Sequence, residues 1–289
     1  MSFEVTATKK RPQLFDQLVG QDFVVSTLKS SIEQGRIAHA YLFAGPRGVG
    51  KTSTARILAR CLCCVDGPTH EPCGVCEHCT AIGAGAHPDV VEIDAATHNG
   101  VDDVRRLNEG ATFSPTMARA KVVILDEVHM LSNAAWNALL KNLEEPPPHL
   151  HFIFATTESE KVLPTVLSRV QRFDFRAIGL EEIVARLGEV AQGEGLQLDE
   201  GLRYRIARAA DGGMRDAQTL LDQLIAISDG AIAEDDIDLL LGAARGDDVQ
   251  ALAQALLSGD SRESLARLDE LLAGGGAAER LLGQLVDHF

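Results

Sequence analysis

The sequence lacks an excess of positive charge. Its 27 Lys+Arg stand against 42 Asp+Glu, a formal net charge of −15. It therefore has no broad basic footprint of the kind nucleic-acid-binding domains carry, and any DNA contact is expected to be local or shared with partners. The deficit is uneven: residues 1–180 hold 18 Lys+Arg and 20 Asp+Glu, while residues 181–289 hold 9 and 22. Aromatic residues are also scarce, at 4 %, so the core must be mostly aliphatic. No apolar run reaches the roughly 18 residues that cross a bilayer, and Met1–Lys10 has no apolar h-region. These absences predict no membrane partner, no secretory signal and a cytoplasmic location. In that compartment the six cysteines are expected as reduced thiols or metal ligands, not disulfides.

What is present suits a globular protein of two or three domains, with 45 % hydrophobic and 24 % charged residues in 289. The run Ala40-Tyr41-Leu42-Phe43-Ala44 reads as a buried parallel strand. A glycine-rich turn follows, then a helical stretch from Thr52 to Cys64 with Ala55, Leu58, Ala59 and Leu62 on one face. Further strands are predicted at Val90–Ile93, Val122–Leu125, Phe152–Ala155 and Arg172–Phe175, with helices at Val101–Gly110 and Asn133–Glu144. Such alternation predicts an α/β fold with a mostly parallel sheet and helices on both faces. From about residue 180 the pattern becomes purely helical, at Leu180–Gln192, Asp199–Ala210, Arg215–Ile227 and Glu234–Leu241. Residues 243–289 continue as helix, with Gly274-Gly275-Gly276 as a linker or turn.

Gly45-Pro46-Arg47-Gly48-Val49-Gly50-Lys51-Thr52 fits the P-loop pattern in full, and it lies between a strand and a helix as that chemistry requires. The glycines, with Val49 and Ser53 beside them, let backbone N–H groups wrap phosphate oxygens at a helix N-terminus. Lys51 is expected at the β/γ-phosphates of ATP and Thr52 on Mg²⁺. The apolar strand Val122–Leu125 runs into Asp126 and Glu127. Asp126 is expected to hold Mg²⁺ and Glu127 to orient and deprotonate the attacking water.

Cys64, Cys73, Cys76 and Cys79 form C-x8-C-x2-C-x2-C. Four soft ligands in a loop carrying Gly67, Pro68, Pro72 and Gly74 predict a closed, structural Zn²⁺ site. Cys61 and Cys63 are read as inert. His70 and His78 are passed over as ligands, since four thiolates are available.

The P-loop, Asp126-Glu127-Val128-His129-Met130-Leu131 and Leu139-Leu140-Lys141-Asn142-Leu143-Glu144-Glu145-Pro146-Pro147 together resemble the gamma/tau motor-subunit family of the bacterial DNA polymerase III clamp loader, a branch of the AAA+ ATPases. Arg11-Pro12, Val19-Gly20-Gln21 and Arg36–Phe43 add to the resemblance. It implies an AAA+ P-loop domain at 1–179 with a zinc module at 64–79, a helical lid at 180–242, and the beginning of a helical collar at 243–289, where the sequence stops short of the family's full collar. It implies Thr157 as the polar sensor near the γ-phosphate, Arg169 of Ser168-Arg169 as the arginine offered to the neighbour's ATP, and Arg215 as the lid arginine. Arg11, Pro12 and Val19 fall where the family packs adenine. Val170 stands where the family has cysteine, which leaves the arginine role intact.

The partners implied are the other subunits of a hetero-oligomeric ring, the sliding clamp, and the backbone of primer-template DNA. Arg105, Arg106 and Lys141 have two readings: phosphate contacts in a ring channel, or a solvated helix face. His98 stands where many relatives are basic. Phe113-Ser114-Pro115 with Met117 is read either as an apolar wedge for the clamp or as core. Two rival functions stay open. Another oligomeric AAA+ DNA motor is disfavoured by the cysteine spacing and Glu144–Pro147. A non-hydrolysing structural loader subunit is disfavoured by the intact set Lys51, Thr52, Asp126 and Glu127.

Overall fold

The computed structural model describes residues 11–196, 198–227, 237, 240, 246–273 and 278–288. By contacts the chain divides into two units. One runs up to Ile183 and takes back Asp211–Asp216; the other holds Val184–Ala210 and continues from Ala217.

The first unit is built on a five-stranded sheet. Its strands are β1 (Ala40–Ala44), β2 (Val90–Asp94), β3 (Lys121–Asp126), β4 (Leu150–Thr156) and β5 (Gln171–Asp174), in the spatial order β2-β3-β4-β1-β5. Every pairing is parallel. The three inner strands are buried on both sides, which is why they read as unbroken apolar runs. The edge strands β2 and β5 keep polar residues such as Glu92, Gln171 and Arg172.

Alternation along each strand sorts side chains between two layers. On one face Tyr41, Phe43, Val122, Ile124, Ile153 and Phe173 pack with Val24, Leu28 and Ile32 of α1 (Asp22–Glu33) and Leu58 and Leu62 of α2 (Lys51–Cys63). On the other, Leu42, Val123, Leu125, Phe152 and Phe154 pack with Val104 of α4 (Val101–Thr112) and with Trp136, Leu139 and Leu143 of α5 (Asn133–Glu144). The Trp136 ring lies edge-on to Phe154 at 5.4 Å. Between α2 and β2 lies the short α3 (Glu77–Gly83) of the cysteine loop. Ser132 caps α5, its side chain accepting from the Ala135 amide, and Pro146–Pro148 follow its end. A single turn, α6 (Pro164–Leu167), precedes β5.

The second unit is helical. Its segments belong to α7 (Leu180–Gly193), which enters it at Val184, α8 (Glu200–Ala209) and α9 (Met214–Ile227), and then α10 (Gly246–Ser258), α11 (Ser261–Ala273) and α12 (Ala278–His288). Leu187, Val190, Leu202, Ile206, Leu221 and Leu224 are buried. Val249, Leu252 and Leu281 form a separate small core, flanked by Leu268, Leu271 and Leu285. Of the helix expected at Glu234–Leu241, Ile237 and Leu240 are described and helical. Its remaining residues, with Gly230 and Gly274–Gly276, lie outside the described residues. No described helix is long and apolar enough to cross a membrane.

Candidate functional site: a phosphate loop and its acidic partners

The turn after β1 is forced by glycine. Gly45, Gly48 and Gly50 all have positive φ, at 150°, 77° and 102°, a region side chains resist. A Cβ on Gly45 would run into the Phe175 carbonyl, and one on Gly48 would sit 3.1 Å from Gly213 Cα. Val49 is buried in the core and pins the loop. Lys51 opens α2 and is nearly buried; its Nζ donates to the carbonyls of Gly45 at 2.8 Å and Pro46 at 2.7 Å. Burial pulls Lys51 below the ordinary lysine value, while Glu127 and Asp126 work against that shift. Thr52 Oγ1 donates to Asp126 Oδ2 at 2.6 Å. Ser53 is half-buried beside it.

Asp126 and Glu127 stand at the C-terminal end of β3, on the same end of the sheet as the loop. Asp126 Oδ1 accepts from the Glu127 amide at 2.9 Å. Glu127 has φ 48°, a strained setting for a non-glycine residue of the sort that recurs at functional sites. Its Oε2 accepts from Thr157 Oγ1 at 3.2 Å and from the Thr157 amide at 3.3 Å. The first place Thr157 reaches is therefore the carboxylate expected to act as base. His129 joins the same group: Nδ1 lies 3.4 Å from Glu127 Oε2 and 3.1 Å from Thr156 Oγ1, and Nε2 lies 3.2 Å from Glu158 Oε1.

Arg215 belongs to the segment that clusters with the sheet unit, and its amide donates to the Gly48 carbonyl at 3.3 Å. Arg11 is half-buried. Burial and the nearby Arg56 lower its pKa, and it also feels Glu92, Arg215 and Asp126. Pro12 and Val19 are half-buried. Leu18 Cδ2 lies 3.4 Å from where a Gly50 Cβ would stand.

Arg169 is held elsewhere. Its Nη2 pairs with Glu144 Oε1 at 2.8 Å, and Nη1 donates to the Thr165 carbonyl at 2.7 Å and Ser168 Oγ at 3.0 Å. Arg105 and Arg106 are exposed and paired within their own helix, to Asp102 at 3.2 Å and Asp103 at 2.7 Å. Lys141 is exposed. Phe113 is 70 % and Met117 51 % exposed, which overturns the reading of Phe113 as core: the loop between α4 and β3 turns it outward.

The sulfurs of Cys64, Cys73, Cys76 and Cys79 lie within 4.8 Å of one another. The amides of Cys73, Cys76 and Cys79 each donate at 3.4 Å to the preceding cluster sulfur. Burial opposes ionisation of Cys76, yet backbone donors from Cys79 and Val65 outweigh it and bring that thiol down to about 6. Four convergent sulfurs with N–H donors fit a metal held by thiolates. Cys61 is buried and pushed up by burial, and Cys63 is pushed up to about 12 for the same reason; both are inert at neutral pH.

Sequence reasoning gave no role to His129, Thr156, Glu158 or Glu144. His129 is two residues past Glu127 inside the quoted motif, and its place was the available signal. The others become partners only when β3, β4 and α5 are set side by side.

The chain is similar to known proteins over most of its length. Residues 20–179 match the family model described as "DNA polymerase III, delta subunit", and residues 182–230 match "DNA polymerase III clamp loader subunit, ATPase lid domain". The chain is 45 % identical over 289 residues to DNA polymerase III subunit tau of Bacillus subtilis (strain 168), covering all of this chain and 51 % of that protein. It is 42 % identical to subunit tau of Escherichia coli (strain K12), covering 99 % of this chain and 44 % of that one. It is 40 % identical to subunit gamma of Buchnera aphidicola, covering 90 % and 70 %. The chain thus spans about half the length of the tau relatives. Among solved structures, the Holliday junction branch migration motor RuvB of Thermotoga maritima superposes with a TM-score of 0.59 at 19 % identity, over 95 % of this chain and 90 % of that one. At that identity the likeness speaks for the AAA+ fold alone.

Proposed function

Because the chain belongs to the clamp-loader subunit family of DNA polymerase III, we propose that it is an ATP-hydrolysing motor subunit of a replicative clamp loader, acting in the cytoplasm. The observation that carries this is the contact of Thr52 with Asp126 at 2.6 Å, with Lys51 near enough to feel both Asp126 and Glu127. These are the residue types that would hold a triphosphate and its Mg²⁺ and activate the attacking water.

In this reading the Gly45–Gly50 amides and Lys51 bind the phosphates. Lys51 exchanges the Gly45 and Pro46 carbonyls for phosphate oxygens. Thr52 and Asp126 hold Mg²⁺, which supplies charge neutralisation along the triphosphate. Glu127 takes the proton of the attacking water, with Thr157 and His129 fixing its carboxylate. Arg11, Pro12 and Val19 flank the base. Arg215, whose amide is on Gly48, senses the bound phosphates from the Asp211–Asp216 segment that clusters with the sheet unit, and residues 180–242 are proposed as the lid. Arg169 serves a neighbouring protomer; within its own chain its guanidinium is engaged by Glu144, Thr165 and Ser168, a pairing it would exchange on assembly. Exposed Leu257, Leu265, Leu282 and Val286 suit an assembly role for residues 243–289. Phe113 and Met117 are proposed to meet the sliding clamp. Arg105, Arg106 and Lys141 are proposed to meet the backbone of primer-template DNA. The cysteine module is assigned Zn²⁺, which would order a loop too polar to fold alone.

The test is the ATPase rate of the full chain, alone and with partner subunits, clamp and primed DNA, with Lys51→Ala as control. Slow hydrolysis alone, raised by all additions together with clamp loaded on DNA, is the expected result. Fast hydrolysis by the isolated chain, or duplex translocation without clamp loading, would contradict the proposal and favour another DNA motor.

A further inference from the structure

Just beyond the last cysteine lie three buried polar side chains that nucleotide chemistry does not use. His78 is 7 % exposed, His87 5 % and Asp89 0 %. Groups this deep need partners, and these are partnered in series. The Asp89 amide donates to His87 Nδ1 at 3.0 Å. A backbone N–H can only donate, so Nδ1 is the unprotonated nitrogen and a neutral His87 carries its proton on Nε2. That Nε2 lies 2.9 Å from His78 Nδ1. His78 Nδ1 must then accept, which leaves the His78 proton on Nε2, towards Glu77 Oε1 at 4.0 Å. The Asp89 carboxylate extends the series: Oδ1 accepts from the Thr116 amide at 2.6 Å, and Oδ2 from the Met117 and Ala118 amides at 2.7 and 2.9 Å. The turn so gripped presents Phe113 and Met117 to solvent.

We infer that the cysteine metal module positions this apolar turn, with His78, His87 and Asp89 as positioning residues, and is more than a staple for its own loop. An apolar pair would fill the space of the two imidazoles without demanding partners. Two histidines joined by a bond that admits one tautomer pair instead fix direction as well as volume. His78 neighbours the ligand Cys79 on the first turn of α3, so a bound metal sets where its ring stands. His87 relays that position to Asp89. The inference rests on the reading of the four cysteines as metal ligands, but it does not depend on what meets Phe113.

Hydrogen exchange of the full chain, read at the Thr116–Ala118 amides together with zinc content, tests it. His78→Leu removes the acceptor for His87 Nε2, whereas His78→Asn keeps an acceptor near the former Nδ1. With zinc retained, His78→Leu should speed exchange of those amides about tenfold, the scale of one net hydrogen bond. His78→Asn should stay near wild type. Chelating zinc from wild type should speed the same amides while those of β4 hold. Unchanged Thr116–Ala118 protection after chelation, or an equal rise in β4, would overturn the inference alone. A purified chain that binds no zinc would overturn the metal reading and the inference with it.

Discussion

Glu127 shows how much of this site turns on single atoms. Its backbone sits at φ 48°, and its carboxylate is fixed by Thr157 and His129. Glu127→Gln keeps the shape and the acceptor oxygen but loses the carboxylate proposed as the base. Hydrolysis should fall by roughly 10²–10⁴-fold with nucleotide still bound, as single-turnover kinetics beside a binding titration will reveal. Asp89 makes a different prediction. Burial alone would raise its pKa, but the amides of Thr116, Ala118 and Met117 outweigh it and hold the carboxyl below its ordinary value of 3.8. A depressed folded pKa means stabilisation that is complete above the ordinary value and lost as pH falls through the folded one. Asp89→Asn should therefore cost about 1–3 kcal/mol at neutral pH. Urea melts of the two proteins should converge as the solution is acidified below pH 3.8; a gap independent of pH would refute the assignment. The candidate residues of the loop and the acidic pair were legible in the sequence because their chemistry is local: a glycine turn and a strand-end pair. The Asp89 grip was not, because its donors lie 27–29 residues away.

Elements were legible where burial dictates composition. The runs at β1, β3 and β4 are apolar because both faces are covered, and the sequence reading found all three, with β4 longer than expected at Leu150–Thr156. The edge strand β5 was legible too, shifted by one residue to Gln171–Asp174. The return of Asp211–Asp216 to the sheet unit was not legible, since nothing in Gly212-Gly213 names the Ile178 amide that donates to the Gly212 carbonyl. The layer formed by α5 depends on Trp136, which is 1 % exposed against Phe154. Trp136→Ala should cost about 3–5 kcal/mol, read as a fall in the thermal midpoint, and a loss below about 1 kcal/mol would mean the layer packs otherwise.

At the scale of the molecule, the role proposed for Arg169 implies that one chain does not suffice. Its guanidinium is engaged by Glu144, Thr165 and Ser168 and not by the Lys51 cluster. Arg169→Ala should leave nucleotide binding intact and lower hydrolysis in the assembled complex by roughly 10³–10⁵-fold. Mixing Arg169→Ala with Lys51→Ala subunits should restore part of the rate if the arginine acts across protomers; no recovery would place it in cis. All of this presupposes a triphosphate seated on the Gly45–Thr52 loop. The most direct measurement is calorimetric titration of the purified chain with ATP and magnesium, beside Lys51→Ala. The account predicts saturable binding of one nucleotide per chain, weakened roughly tenfold to a hundredfold by the substitution. Absence of binding to the unaltered chain, or equal binding by both, would contradict it.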